Sequence, residues 1–153
     1  MDFLIIFLAK YFFIFVLIAA IIVTLMEPKK NLVNILKLAI AALPVSFIFS
    51  RIASALFYNP RPFVVEKIAP LIDHAADNGF PSDHTLIVMT VTAIVFAYNK
   101  KTGFFLILFS LIVGLGRVLA KVHHSLDVLG STLIAFLATY LCFAVLKKLK
   151  ILR

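Results

Sequence analysis

Two imidazoles, two guanidiniums and a carboxylate stand out in a chain that is otherwise largely hydrocarbon. His123 and Asp127 are four residues apart, a spacing that puts both on one face of a helix. A carboxylate so placed can hold the proton on one ring nitrogen and leave the other nitrogen free to attack. His84, within Gly79-Phe-Pro-Ser-Asp-His-Thr85, is a second imidazole and a candidate proton donor. Arg61 and Arg117 are permanent cations whose planar forks match phosphate oxygens. Ser82 adds a hydroxyl, and a helix starting at Ser82 or Asp83 adds unpaired N–H groups that favour an anion. Together the set suits phosphoryl transfer, which needs positioning, neutralisation of the phosphoryl oxygens, a nucleophile and a protonated leaving group.

Each of these residues also has a plainer reading. Arg61 and Arg117 fit interfacial anchors. His123 and His124 fit a polar cap at a membrane surface, and Asp127 fits the N-cap of the helix that follows. Asp73 and His74 fit a solvated loop. Gly114 and Gly116 fit close helix packing, and the 16 phenylalanines fit lipid-facing and core bulk. What favours chemistry is the conjunction of the polar groups, which depends on the elements that carry them.

Those elements belong to a membrane. Of the 153 residues, 63% are hydrophobic and 14% charged, with a mean hydropathy of +1.12, well beyond a soluble domain. The chain reads as one all-α integral membrane domain over 1–153, a polytopic transmembrane helix bundle. The single cysteine, Cys142, excludes a disulfide framework and a cysteine metal cluster. The net charge of +8 does not mark a nucleic-acid binder, because the basic residues sit at the ends of apolar segments.

Five spans are expected, each of about 20 apolar residues: Phe3–Met26, with Lys10 snorkelling near one end; Leu32–Phe57, bent at Pro44; Ser82 to Tyr98; Gly103–Ala120; and Val128–Leu146. A cleaved leader does not fit the first, which carries Asp2, no basic n-region and no small-residue cleavage site. Arg51 lies too deep in the second span for a boundary residue, so it faces a protein interior or a wet cavity. Tyr58 to Asp83 is the longest polar connection, a length that points to function. Five crossings place Lys29, Lys30, Lys100, Lys101, Lys147, Lys148, Lys150 and Arg153 on one side. Arg61, His74, Ser82, His84, Arg117, His123 and Asp127 fall on the other. The positive-inside rule then puts the lysine-rich side and the C-terminus in the cytoplasm and the polar constellation on the outer face of the cell membrane.

The spacing resembles the type 2 phosphatidic-acid phosphatase (PAP2) superfamily over about residues 32–146. That family shows a lysine, six residues, then Arg-Pro; next Pro-Ser-Gly-His; then Ser-Arg, five residues, His, three residues, Asp. Here stand Arg61-Pro62, Pro81-Ser-Asp-His84, and Gly116-Arg117 followed at the family spacing by His123 and Asp127. Ser54 occupies the place of the first lysine, with Arg51 or Lys67 as substitutes; Asp83 replaces a glycine and Gly116 a serine. Phe-Pro-Ser-Asp-His-Thr, with His74-Ala-Ala-Asp77 and Asn59-Pro-Arg-Pro-Phe63, resembles the bacitracin-resistance-type undecaprenyl-diphosphate phosphatases.

The resemblance implies a PAP2/chloroperoxidase-like helical core and hydrolysis of the terminal phosphate of a polyprenyl diphosphate. It assigns His123 as nucleophile, forming a phosphohistidine, Asp127 as its orienting carboxylate and His84 as acid and then base. Arg61, Arg117 and Ser82, with the amides near Asp83, would hold the phosphoryl oxygens; Arg51, Ser54 and His74 are candidate substrate contacts. No cofactor or metal is needed, the partners are the lipid and the bilayer, and the oligomeric state is left open. Three alternatives stand beside it: another lipid phosphate such as phosphatidic acid or phosphatidylglycerophosphate, metal-assisted hydrolysis through His74, His84, His123 and Asp127, and a degenerate lipid-binding protein. The metal reading lacks a His-Glu-x-x-His type spacing.

Overall fold

A computed structural model describes residues 2–152. It is built from seven helices: α1 (Asp2–Lys10), α2 (Phe12–Met26), α3 (Lys29–Leu56), α4 (Pro62–Glu66), α5 (Asp83–Tyr98), α6 (Lys100–Leu119) and α7 (Ser125–Lys148). Among the described residues there is no strand; a single bridge joins Pro60 to Asn78 within the long connection.

Helix α5 is the axis of the bundle. It packs against α2, α3, α6 and α7, and Thr85, Val88, Met89, Thr90 and Thr92 along it are completely buried. A helix apolar all round is stable when neighbours cover every face. Its threonines find partners inside the protein: Thr90 donates to the Leu86 carbonyl (2.8 Å), and Thr92 shares a hydrogen bond with Ser110 of α6 (2.9 Å). Small residues set the helix spacing. A Cβ on Gly114 would lie 2.6 Å from Val128 Cγ1, and one on Gly116 would lie 2.8 Å from the Leu8 backbone, as the packing reading of these glycines expects. Outward faces carry large apolar side chains, including Ile40, Phe47, Ile48, Ile52 and Leu56 on α3 and Leu129, Leu133 and Leu137 on α7. Water would penalise such faces and a bilayer does not.

The five expected spans all form helix, with two differences in shape. The apolar run at 3–26 is a bent pair and not one rod: α1 and α2 meet at 47° around Tyr11. In this bent arrangement α1 packs on α6, and its Ala9 carbonyl accepts a hydrogen bond from Arg117 (3.2 Å). Helices α3, α6 and α7 are each long and apolar enough to cross a membrane, and the bent pair counts as a fourth. Helix α5, with 16 residues, is about 24 Å long and shorter than a ~30 Å hydrocarbon core. Pro44 leaves α3 helical from Lys29 to Leu56.

The two ends of the bundle differ in chemistry. At one end the α2–α3 and α5–α6 links meet, where Asn99 donates to Glu27 (2.7 Å), and Lys37 reaches the Ile151 carbonyl (3.0 Å). At the other, the 57–82 connection folds over the start of α7 and the end of α6. Phe63, Leu71 and Ile72 from that connection pack with Ile5, Ile6 and Ala9 of α1 and with Ala120 and Val122.

Candidate active site

The His–Asp pair forms at the α6–α7 corner. Helix α7 begins after His124, which is its N-cap; Asp127 is the third residue inside the helix, not the N-cap expected from sequence. That placement lets the carboxylate fold back on the turn. Asp127 Oδ2 accepts from the His124 amide (2.8 Å) and faces His123 Nδ1 (3.3 Å). Its Oδ1 accepts from the Asn59 side chain (2.7 Å). The carboxylate is fully buried and His123 is 2% exposed, so these partners replace water.

A proton on Nδ1 of His123, the nitrogen that faces Asp127, leaves the Nε2 lone pair turned towards both guanidiniums. Arg61 Nη1 lies 3.2 Å from Nε2 and Arg117 Nη2 lies 3.5 Å away. Arg61 is locked from behind: its Nε donates to Asp77 (2.7 Å) and its Nη1 also donates to the Val122 carbonyl (2.8 Å). Arg117 donates from Nη1 to Ala9, while its buried Nε has no partner among the described residues. An unpaired buried donor is costly, and an anion in the site would satisfy it.

Burial lowers the pKa of His123, and the charges of Arg117 and Arg61 add to that effect; together they outweigh the opposing hydrogen bond to Asp127. The imidazole is therefore held neutral, the form that can attack. His74 stands across the site, its ring centroid 6.0 Å from that of His123. Burial first, and then the charges of Arg61, Arg117 and His123, bring its pKa down to about 4. Burial raises the Asp77 carboxyl, but the hydrogen bond and charge of Arg61 prevail and hold it below its usual value.

A cavity of about 150 Å³ lies in front of His123, lined by Arg51, Ser54, Arg61, His74, Asp77, Asn78, Phe80, Pro81, Asp83, His84, Arg117 and His123. His84 is in the first turn of α5, its ring edge against Phe13 (centroids 4.7 Å apart). The first helical bond of α5 runs from the Leu86 amide to the Ser82 carbonyl (2.8 Å), so the amides of Asp83, His84 and Thr85 precede it and have no partner within the helix. Asp83 and His84 also line a second, apolar cavity of about 570 Å³ with Phe13, Leu43, Ser46, Phe47, Leu86 and Ile87. Leu43 in turn borders a third, of about 400 Å³, between α2, α3 and α5. The small polar chamber and the first apolar cavity thus share Asp83 and His84 as a common wall, and the two apolar cavities share Leu43.

Residues 38–151 match the PAP2 superfamily. The chain belongs to that superfamily. Within it, the chain is 32% identical over 144 residues to the bacitracin transport permease protein BcrC of Bacillus licheniformis, covering 94% of this chain and 70% of that protein. It is 36% identical over 104 residues to the undecaprenyl-diphosphatase BcrC of Bacillus subtilis, covering 68% of this chain and 52% of that one. The crystal structure of Aquifex aeolicus LpxE shares the fold, with a TM-score of 0.73 at 23% identity over 94% of this chain and 85% of that chain.

Most of the PAP2 candidate residues converge on the polar chamber. Arg51, Ser54, Arg61, His74, Asp83, His84, Arg117 and His123 line it, with Asp127 directly behind His123. Ser82 does not line it. Its completely buried hydroxyl accepts from Thr85 (3.2 Å) and its carbonyl accepts from Ser131 (2.9 Å), which ties α5 to α7. Lys67 ends α4 in a left-handed conformation and is not part of the chamber wall. Of the two substitutes for the lysine missing at Ser54, Arg51 is the one at the chamber, where it pairs with Asp83.

Asn59, Asp77 and Asn78 were not assigned roles from sequence. The Asn78 side chain accepts from the Asn59 and Phe80 amides (2.9 and 3.0 Å) and donates to Ser54 Oγ and the Phe57 carbonyl (3.1 and 3.0 Å), closing the loop that carries Arg61. The usable signal was adjacency, since Asn59 stands two residues before Arg61 and Asn78 immediately precedes Gly79.

Proposed function

We propose that this protein removes the terminal phosphate of a polyprenyl diphosphate, undecaprenyl diphosphate being the lipid that best fits its relatives, through a phosphohistidine. The observation that carries the reading is the wall that the two cavities share. His123 Nε2 faces two guanidiniums in a chamber sized for a phosphate headgroup, and that chamber shares Asp83 and His84 with an apolar cavity suited to an isoprenoid chain.

The geometry supports the following steps. Arg61, Arg117 and the first amides of α5 hold the oxygens of the terminal phosphoryl group. His123 Nε2 attacks its phosphorus, and the bond to the bridging oxygen breaks. His84 gives that oxygen a proton, so the prenyl monophosphate leaves. Asp127 balances the positive charge on the phosphorylated imidazole. His84, now neutral, takes a proton from water as the water oxygen attacks phosphorus; the N–P bond breaks, inorganic phosphate departs and His123 is restored. The lysines of the opposite end support an outward-facing site, because short lysine-rich links stay in the cytoplasm.

The test is phosphate release from the lipid by purified protein in detergent, with His123→Ala and His84→Ala beside it. Each variant is expected to lose turnover, and wild-type rates in both would refute the mechanism. A transport role, as in the name of one relative, predicts lipid or bacitracin binding with no phosphate released.

A further inference from the structure

We propose that Arg51 reads the second phosphate of the diphosphate, the one that stays on the prenyl chain, and so separates diphosphate from monophosphate ligands. This rests on the hydrolase reading above and sharpens its substrate class. Arg61 and Arg117 both converge on His123 Nε2 and serve the phosphoryl group that is transferred. The retained phosphate has to lie between that group and the chain, at the join formed by Asp83 and His84.

Arg51 is the cation at that join. It lines the polar chamber, its Nη2 bonds Asp83 and Ser50 Oγ (3.0 Å), and its guanidinium carbon stands 5.0 Å over the ring of Phe47, which lines the apolar cavity. Both bonds use one nitrogen, which leaves Nη1 and Nε as donors in the fork geometry that suits phosphate. Its side chain is 46% exposed and that of Asp83 64%, so the pair is accessible to a ligand. Asp83 alone would repel an anion at this point; Arg51 cancels that charge and is itself aimed by it. On this proposal a single phosphate held against His123 stops short of Arg51, and a diphosphate reaches it.

The probes are inorganic pyrophosphate and inorganic phosphate, titrated calorimetrically into the purified protein, with prenyl diphosphate turnover measured in parallel. Arg51→Ala is expected to weaken pyrophosphate on the order of tenfold to a hundredfold, the worth of one charge-assisted bond, and to shift phosphate by less than about threefold. Arg51→Lys, which keeps the charge and loses the fork, is expected to fall between. In Arg51→Ala combined with Asp83→Asn, pyrophosphate binding stays weak. Equal weakening of both anions, no weakening of either, or recovery of pyrophosphate binding in the double variant would overturn the proposal. Turnover by the wild type reports separately on the hydrolase reading, since the titrations need none.

Discussion

Replacing Asp127 with asparagine tests the core of the site, and the structure sets the size of the effect. An asparagine has one oxygen to accept with, where Asp127 uses two. The His124 amide lies 2.8 Å from Oδ2, the same atom that faces His123 Nδ1. It cannot tolerate an NH2 group there, so the new oxygen is pinned on the His123 side and the amide nitrogen turns towards Asn59. Asn59 can then rotate its own amide to accept. The tautomer of His123 is therefore kept, and the lost quantity is charge. Across the 3.3 Å from Nδ1 to the carboxylate, a full unit charge at an effective dielectric of about 20 corresponds to about 5 kcal/mol. About half that charge on the imidazole in the transition state corresponds to about 2.5 kcal/mol, or roughly a hundredfold in kcat. Inverting the tautomer would cost about 10⁴-fold instead. The assay is single-turnover phosphate release from the lipid, with nitrogen NMR of His123 to identify the protonated atom. A loss under about threefold would show that the carboxylate does not serve the reaction, and a loss near 10⁴ would show that the His124 amide does not pin the oxygen.

Asn59→Ala leaves a buried carboxylate oxygen of Asp127 without its donor and is expected to lower stability by about 1.5–3 kcal/mol; thermal unfolding in detergent measures it, and an unchanged Tm would contradict the bond. Gly116→Ser restores the residue usual in the family, yet its Cβ would stand 2.8 Å from the backbone of Leu8 and 2.9 Å from that of Ala9. It is expected to cost about 1–3 kcal/mol through overpacking and to reduce turnover by shifting the Arg117 contact, as read by Tm and phosphate release. Because His123 must be neutral to attack and its pKa lies below the ordinary value, kcat/KM persists as pH falls through 6.5 and drops only below it; an acid limb centred above 6.5 would refute this. His74 protonates in the unfolded chain near 6.5 and in the folded protein at about 4. Stability is therefore constant above 6.5 on its account and falls between the two values, and His74→Gln should flatten the fall in Tm over that range.

Local chemistry was readable from the chain and long-range support was not. Apolar runs ended by Asn99 or interrupted by the polar 57–82 stretch marked the helices within a few residues, because hydrophobic length and capping are local signals. The four-residue interval of His123 and Asp127 predicted their pairing, since a helix turn fixes it. The depth of Arg51 in α3 predicted a wet interior, which proved to be the chamber wall. The one charged interruption of the 3–26 run, Lys10, sits at the break beside Tyr11, but it also fits snorkelling in a single rod, and the 47° bend was not expected. Asn59 and Asn78 were invisible for another reason: they act by closing backbone onto side chain across a loop, and no periodicity records that. Ser82 sits within a motif and still turns its hydroxyl towards Thr85, three residues along the chain, while its carbonyl accepts from Ser131 of α7.

The bend between α1 and α2 makes the working unit larger than its family signature. The match to the superfamily runs over 38–151, whereas the carbonyl that holds Arg117 belongs to residue 9. A chain trimmed to the matched region would keep every motif and lose the carbonyl to which Arg117 donates. Helix α1 lies along α6 at the site end of the bundle, so a residue outside the family signature helps to position an arginine inside it, through the Ala9 carbonyl.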